Sequence, residues 1–157
     1  MKIKNVDVYG LNKSIKRSGY PMTVGEPANI SDLILCSNDD ITRALKLSKA
    51  PSGSGHDCAL KGIIVQFDLQ YPEYFSPQLQ RYHWVDIISS QSKMHKIMSK
   101  KLRNEDFAKP LPEQTLDYLN FLIYQGDINE VVNALPSGYL KWMGISTNYL
   151  QLNFRRA

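Results

Sequence analysis

Alternating apolar and polar residues predict three β-strands. The pattern occurs in residues 6–9, in 62–70, where it is clearest, and again in 139–145. Successive side chains of a strand point to opposite faces, so such runs can cover a core with one face. In 62–70 apolar side chains occupy both faces, which predicts an interior strand with Phe67 buried.

Helical periodicity and capping residues predict the remaining elements. The predicted helices are 38–49, 77–98, 112–125 and 127–135, followed by a last amphipathic stretch from Ser146. Gly126 is placed to end one helix and Asp127 to cap the next, because glycine and aspartate favour those positions. Residues 12–27, rich in Lys, Ser, Gly and Pro, are predicted to form a loop.

Strands and helices mixed in this order, with no internal repeat, predict one α+β domain over residues 1–157. An apolar fraction of 43% suffices for one core. No apolar run approaches the roughly 20 residues that span a bilayer. The N-terminus lacks the apolar stretch of a signal peptide, and two cysteines are few for a small secreted domain. We therefore expect a cytoplasmic protein without a membrane segment.

The net charge of +4 favours an anionic partner, either a nucleic acid or a phosphorylated small molecule. The strongest local feature is a basic run with no acid before Glu105: Lys93, Lys96, Lys100, Lys101 and Arg103. Such a run can support nucleic-acid binding, although charged surfaces of this kind are common.

Isolated catalytic motifs carry little weight in this chain. Residues 53–55 resemble the start of a phosphate-binding loop, but they precede a strand instead of following one. His56 and Cys58 are too close in sequence to form the usual base and nucleophile pair. The three histidines have no metal-site spacing, so we expect no zinc site.

The predicted helix 77–98 offers a more specific candidate. At about 100° per residue it would place seven side chains on one face: Gln78, Arg81, Tyr82, Val85, Ser89, Ser92 and Lys96. A guanidinium, hydroxyls and an amide together suit a phosphate and a base. The alternative is a solvated helix face.

Residues 56–69, 78–84 and 89–95 resemble, in order and spacing, the core of the flavin-dependent thymidylate synthases. That family has a His-Glu element, a strand of the form Phe-Thr-Phe-Glu-Ile, the motif Gln-Leu-x-Arg-His-Arg and then a signature serine. Residues 134–155 also look like the family's Leu-Pro turn, strand and helix. The resemblance implies the family's fold, a small, mainly antiparallel sheet flanked by helices, assembled as a homo-oligomer that we expect to be a tetramer.

The resemblance also implies roles for individual residues. His56 falls on the histidine near the flavin, and Arg81 and His83 fall on positions that bind the FAD cofactor. Gln78 and Arg81 fall on positions that contact the nucleotide. Ser92 falls on the signature serine beside the pyrimidine, which makes it the candidate catalytic residue.

Several residues depart from the family pattern. Tyr82 and His83 replace His and Arg, and Lys61 replaces a glutamate. Met94 and Val132 stand where arginines that bind nucleotide phosphate are expected, and the family's last arginine-bearing element has no counterpart. Arginine provides a bidentate, charge-assisted contact to phosphate, so each replacement weakens the implied site.

Two functions follow from these patterns. The first is a divergent flavin-dependent thymidylate synthase-like protein that binds a flavin or a dUMP-like nucleotide at a subunit interface, with activity reduced or lost. If active, it would transfer a methylene group to dUMP and reduce it with hydride from FAD. The alternative is a non-catalytic phage or mobile-element protein that uses the fold to bind protein or nucleic acid.

Overall fold

The structure, a computed structural model, describes residues 1–31, 35–51, 53–82 and 84–153, with the backbone alone for His95. His83, one of the residues predicted to bind FAD, lies outside the described residues.

The chain forms two compact units. The first unit comprises Met1–Lys4 and Asp68–Ile145, and the second comprises Asn5–Phe67 and the described residues from Ser146 onward. One domain over 1–157 stays a prediction. No helix in the described part of the chain is long and apolar enough to cross a bilayer.

The strands are β1 (Lys2–Tyr9), β2 (Ile64–Pro72), β3 (Asp86–Ser90) and β4 (Leu140–Asn148), and they form one antiparallel sheet in the order β1-β2-β4-β3. The helices are α1 (Leu11–Arg17), α2 (Asn38–Ser48), α3 (Ser76–Gln80), α4 (Lys93–Lys96), α5 (Glu113–Gln125), α6 (Ile128–Ala134) and α7 (Tyr149–Asn153). The predicted α+β class and the small sheet are confirmed.

The predicted interior strand 62–70 corresponds to β2, which begins and ends two residues later. Val65, Leu69 and Tyr71 are buried on one face, as the alternation requires. The expectation that Phe67 is buried is wrong, because this residue is only half-buried. The rest of the protein covers Phe67 less completely than it covers Val65 and Leu69 on the same face of the strand.

The core of the first unit is built around α5. Its buried members are Ile97, Leu102, Phe107, Leu119, Leu122 and Val131. The Asn120 carboxamide accepts a hydrogen bond from the Leu102 N–H (2.8 Å) and donates one to the Leu102 carbonyl (3.1 Å), which fastens the segment before α5 to the helix. Gly126 ends α5 with a left-handed φ of 85°.

Asp127 caps α6 as predicted. Its carboxylate accepts hydrogen bonds from the N–H groups of Asn129 (2.9 Å) and Glu130 (3.3 Å). The last amphipathic stretch, predicted from Ser146, begins later: β4 continues through Asn148, whose side chain accepts the hydrogen bond from the Gln151 N–H (3.0 Å) in α7.

The prediction of a loop over 12–27 is wrong, because α1 and a short 3-10 helix (Tyr20–Met22) lie there. Packing on the 3-10 segment Cys58–Gly62 stabilises α1 despite its polar sequence. Gly62 makes this approach possible, since a side chain there would collide with the hydroxyl of the buried Ser14. Tertiary contact has overridden local propensity.

The prediction of a continuous helix over 77–98 is also wrong. The chain forms the short helix α3, then β3, then α4. Residues 85–88 are rich in β-branched side chains, and pairing with β4 makes the strand the favoured conformation. The predicted polar face, which needed one unbroken helix, therefore does not exist.

In the second unit, α2 is held by a capping box and by Arg43. Ser37 and Asp40 exchange hydrogen bonds at the helix start. The Arg43 guanidinium pairs with the Asp40 carboxylate (2.6 Å) and donates to the Ser18 hydroxyl (3.2 Å) beyond α1. The hydrogen bond from Arg43, followed by those from Ser37, lowers the pKa of Asp40 from 3.8 to about 2.

Replacing Leu119, which is fully buried, by alanine should lower the free energy of unfolding by about 2–5 kcal/mol, because the cavity adds to the lost apolar burial. Tyr124 is the matched control, since it lies on the same helix with 86% of its surface exposed. Tyr124→Ala should change stability by less than about 0.5 kcal/mol. Equal effects in urea unfolding would contradict this core.

Asp40→Asn should destabilise the protein above pH 4 and progressively less between pH 4 and 2. A folded-state pKa below the unfolded value gives stability that is present above the unfolded pKa and is lost as the pH falls through the folded pKa. Urea midpoints of both proteins across this range measure the difference. A difference independent of pH would exclude the ion pair as its cause.

Candidate functional site

A polar pocket of about 460 Å³ in the first unit is the candidate site, with a volume in the range of small-ligand sites. Its lining residues come from β2, β4, the segment around α4 and the segment before α5. They are Gln70, Gln91, Ser92, Lys93, Lys96, Ser99, Lys100, Glu105, Asp106, Tyr139, Leu140, Lys141 and Trp142.

Gln91 fixes one wall of the pocket. Its backbone N–H donates to the Trp142 carbonyl (2.9 Å), and its side-chain oxygen accepts from the Trp142 N–H (3.0 Å). The backbone bond extends the pairing of β3 with β4 by one residue, and the side-chain bond occupies the Trp142 N–H. They hold the start of α4, and with it Ser92, beside β4.

Positive charge dominates the pocket lining, with four lysines against Glu105 and Asp106. Lys100 pairs with Asp106, whereas Lys96 makes no ion pair with any described residue. Lys93 and Lys141 both contact the Glu73 carboxylate, at 2.8 and 3.7 Å. A partly enclosed lining of this charge favours an anionic ligand.

Tyr139 adds a neutral hydrogen-bonding group. Its ring packs edge-to-face on the ring of the buried Phe107, with centroids 5.8 Å apart. Burial raises the pKa of the Tyr139 phenol, so the hydroxyl stays protonated at neutral pH and can donate a hydrogen bond.

Of the catalytic and binding residues that the resemblance implies and the structure describes, only Ser92 lines this pocket. Ser92 lines the pocket and precedes α4, which its hydroxyl does not cap. Gln78 lies on α3 and Arg81 follows it; both are exposed and neither lines this pocket.

His56 belongs to the second unit, where it is exposed and lines a pocket of about 670 Å³. The other lining residues of this pocket are mostly small or apolar: Ser14, Arg17, Ser18, Pro21, Met22, Arg43, Leu47, Gly55, Cys58, Ala59 and Gly62. Arg43 is engaged by Asp40, so Arg17 is the cation better placed to meet a ligand.

The residues at the expected arginine positions have no phosphate-binding groups. Met94 is exposed on α4, and Val132 is half-buried on α6. Two members of the predicted basic run, Lys93 and Lys100, are paired with acids, which reduces the positive charge that the run presents. No cluster of metal-ligating side chains occurs among the described residues.

Sequence reasoning missed Glu73, Tyr139 and Lys141. Lys141 gave a usable signal, because a lysine between Leu140 and Trp142, in the apolar first half of a strand, needs a polar partner when it is partly buried. Glu73 gave none, because its partners come from distant parts of the chain.

Comparison with solved structures identifies the fold. The structure superposes on that of thymidylate synthase X from Helicobacter pylori with FAD and dUMP, with a TM-score of 0.70 and 14% sequence identity. The superposition covers 97% of this chain and 80% of the Helicobacter pylori chain. The chain has the thymidylate synthase X fold. A UMP/dUMP methylase, PolB from Streptomyces cacaoi bound with 5-Br dUMP, is also similar, with a TM-score of 0.55 and 14% identity over 94% of this chain and 74% of that one.

The fold expected from the sequence resemblance is therefore confirmed. No family model matches the sequence, and no curated protein does. Because the sequence identity is only 14%, any argument about function must rest on the side chains of this protein and not on the shared fold.

Proposed function

We propose that the chain is a divergent flavin-dependent thymidylate synthase-like protein that binds a deoxyuridylate-type nucleotide, with catalysis reduced or lost. One observation carries the proposal: Ser92, which falls on the family's signature serine, lines a lysine-rich pocket in a fold whose solved examples include dUMP complexes. A positive pocket beside a hydroxyl suits a phosphate and a pyrimidine.

In this proposal Ser92 and the protonated Tyr139 contact the pyrimidine, and the lysines receive the phosphate. Gln78 and Arg81 are exposed outside the pocket, so they would act on a ligand shared with a neighbouring subunit. The protein would then be a homo-oligomer, which we propose is a tetramer. The exposure of every residue of β1 at a sheet edge supports an interface.

The described residues of the second unit's pocket fit a flavin. Met22, Leu47 and Ala59 offer apolar surface for a planar ring, His56 offers a hydrogen bond, and Arg17 offers a charge for a phosphate. Bound FAD would supply hydride chemistry. His83 stays a sequence prediction for the same cofactor.

Reduced catalysis follows from the residues at the expected arginine positions. Met94 and Val132 cannot form charge-assisted contacts with phosphate, and lysine lacks the planar fork that orients a phosphate. A misplacement of about 1 Å can cost on the order of 100-fold in rate. Nucleotide binding and turnover are therefore expected to separate.

Calorimetric titration with dUMP tests the binding. Ser92→Ala should weaken dUMP binding by about 3- to 10-fold, the effect of losing one hydrogen bond. Ser137→Ala is the matched control, because Ser137 is exposed and outside the pocket. Absence of dUMP binding by the unmodified protein would refute the proposed function.

Complementation tests the loss of activity. A thymidine-requiring host that expresses the chain is expected not to grow without thymidine, because the phosphate contacts are depleted. Growth would show that catalysis is intact.

An absorption spectrum of the purified protein tests flavin binding, which predicts a yellow preparation.

Light scattering tests the oligomer. The expected mass is a multiple of the 17.9 kDa chain mass, because β1 presents exposed apolar residues including Val6, Val8 and Tyr9. A mass of one chain in dilute solution would contradict a site shared between subunits.

A further inference from the structure

Glu73 joins two lysines that the sequence separates by 48 residues. Its Oε1 atom lies 2.8 Å from the Lys93 Nζ and 3.7 Å from the Lys141 Nζ. The three side chains are only 13–25% exposed, so solvent screens their charges less than it screens surface charges. We call Glu73, Lys93 and Lys141 the charge trio.

The backbone fixes this arrangement. The Glu73 N–H donates to the Tyr139 carbonyl (3.0 Å) at the end of β2, which sets the register against β4. In that antiparallel register Tyr71 lies across from Lys141, and the Lys141 Nζ is 5.9 Å from the centre of the buried Tyr71 ring. Lys141 is thus confined between a ring and a carboxylate.

The charge trio has an uncompensated positive charge. One carboxylate is shared between two ammonium groups, and both lysines line the pocket together with Lys96, which has no ion-pair partner among the described residues. The trio and Lys96 together carry two excess positive charges, of which the Glu105 carboxylate in the same lining offsets one. A net positive site of this kind attracts a phosphate monoester, which carries close to two negative charges at neutral pH.

We propose that Lys93 and Lys141 form the phosphate subsite of this pocket, and that Glu73 is the counter-ion that limits its affinity for anions. The identity of the ligand as a nucleotide rests on the proposed function; the phosphate subsite rests on the charge trio. The two lysines replace the arginines expected at the positions of Met94 and Val132.

Competition with Glu73 limits the affinity of the subsite. An incoming anion shares Lys93 and Lys141 with the Glu73 carboxylate and is repelled by it. The attraction to each ammonium group and the repulsion by Glu73 both double when the ligand charge doubles, so a dianion binds more tightly than a monoanion and is also weakened more by Glu73. Removing the Glu73 charge should therefore benefit dianions most.

Calorimetry with four probes tests this subsite: inorganic phosphate, dUMP, the 5′-methyl ester of dUMP, and deoxyuridine. Lys93→Ala and Lys141→Ala should each weaken binding of phosphate and dUMP at least about 10-fold, the scale of one charged hydrogen bond. Lys109→Ala removes the same charge from an exposed residue outside the pocket and should change binding less than about 2-fold.

Glu73→Gln tests the counter-ion. It should strengthen binding of the methyl ester about 3-fold and that of dUMP about 10-fold, because the dianion is repelled twice as strongly by Glu73, so that the preference for dUMP rises. Glu113→Gln, at an exposed position at the start of α5, makes the same change in net charge and should leave the preference unaltered. Glu73→Asp should retain the preference, and circular dichroism checks the folding of each variant.

The outcomes separate the two proposals. If dUMP binds no better than phosphate while Lys141→Ala still weakens both, the nucleotide function fails and the phosphate subsite stands. If dUMP binds the unmodified protein and Lys141→Ala equally, the subsite is overturned and the nucleotide function stands. An unchanged preference in Glu73→Gln overturns the counter-ion role, and absence of binding by phosphate and dUMP overturns both proposals.

Discussion

The antiparallel pairing of β2 with β4 is the constraint on which the candidate site depends. One hydrogen bond, from the Glu73 N–H to the Tyr139 carbonyl, marks the register at the pocket end of these strands. A shift of one residue would turn Lys141 to the opposite face of the sheet, away from Glu73 and the Tyr71 ring. The core around Leu119 and the clamp from Gln91 to Trp142 then hold the remaining walls.

This arrangement gives a positively charged site that attracts a phosphate but does little to orient it. Lysines attract an anion as point charges, while the planar fork of arginine also aligns it. The fold is that of enzymes whose solved structures include FAD and dUMP, yet the chain has Met94 and Val132 where the family pattern places arginines. Since catalysis with a cofactor depends on positioning, we expect such a site to retain binding longer than turnover.

The sequence predicted the elements that local signals specify. Helix α5 with its glycine end, the Asp127 cap of α6 and strand β2 all have such signals in adjacent residues. The helix expected over 77–98 and the loop over 12–27 were wrong, because β3 forms by pairing with β4 and α1 by packing on Gly62. Ser92 was found through a family resemblance. The meeting of Glu73 with Lys141 depends on strand register, which no local pattern encodes.

A crystal structure of the protein grown with dUMP tests the central claim most directly. The account predicts the phosphate oxygens within hydrogen-bonding distance of the Lys93 and Lys141 ammonium groups, about 2.7–2.9 Å, and the pyrimidine beside Ser92. A phosphate bound by Arg81 with the lysine-rich pocket free of nucleotide would contradict it.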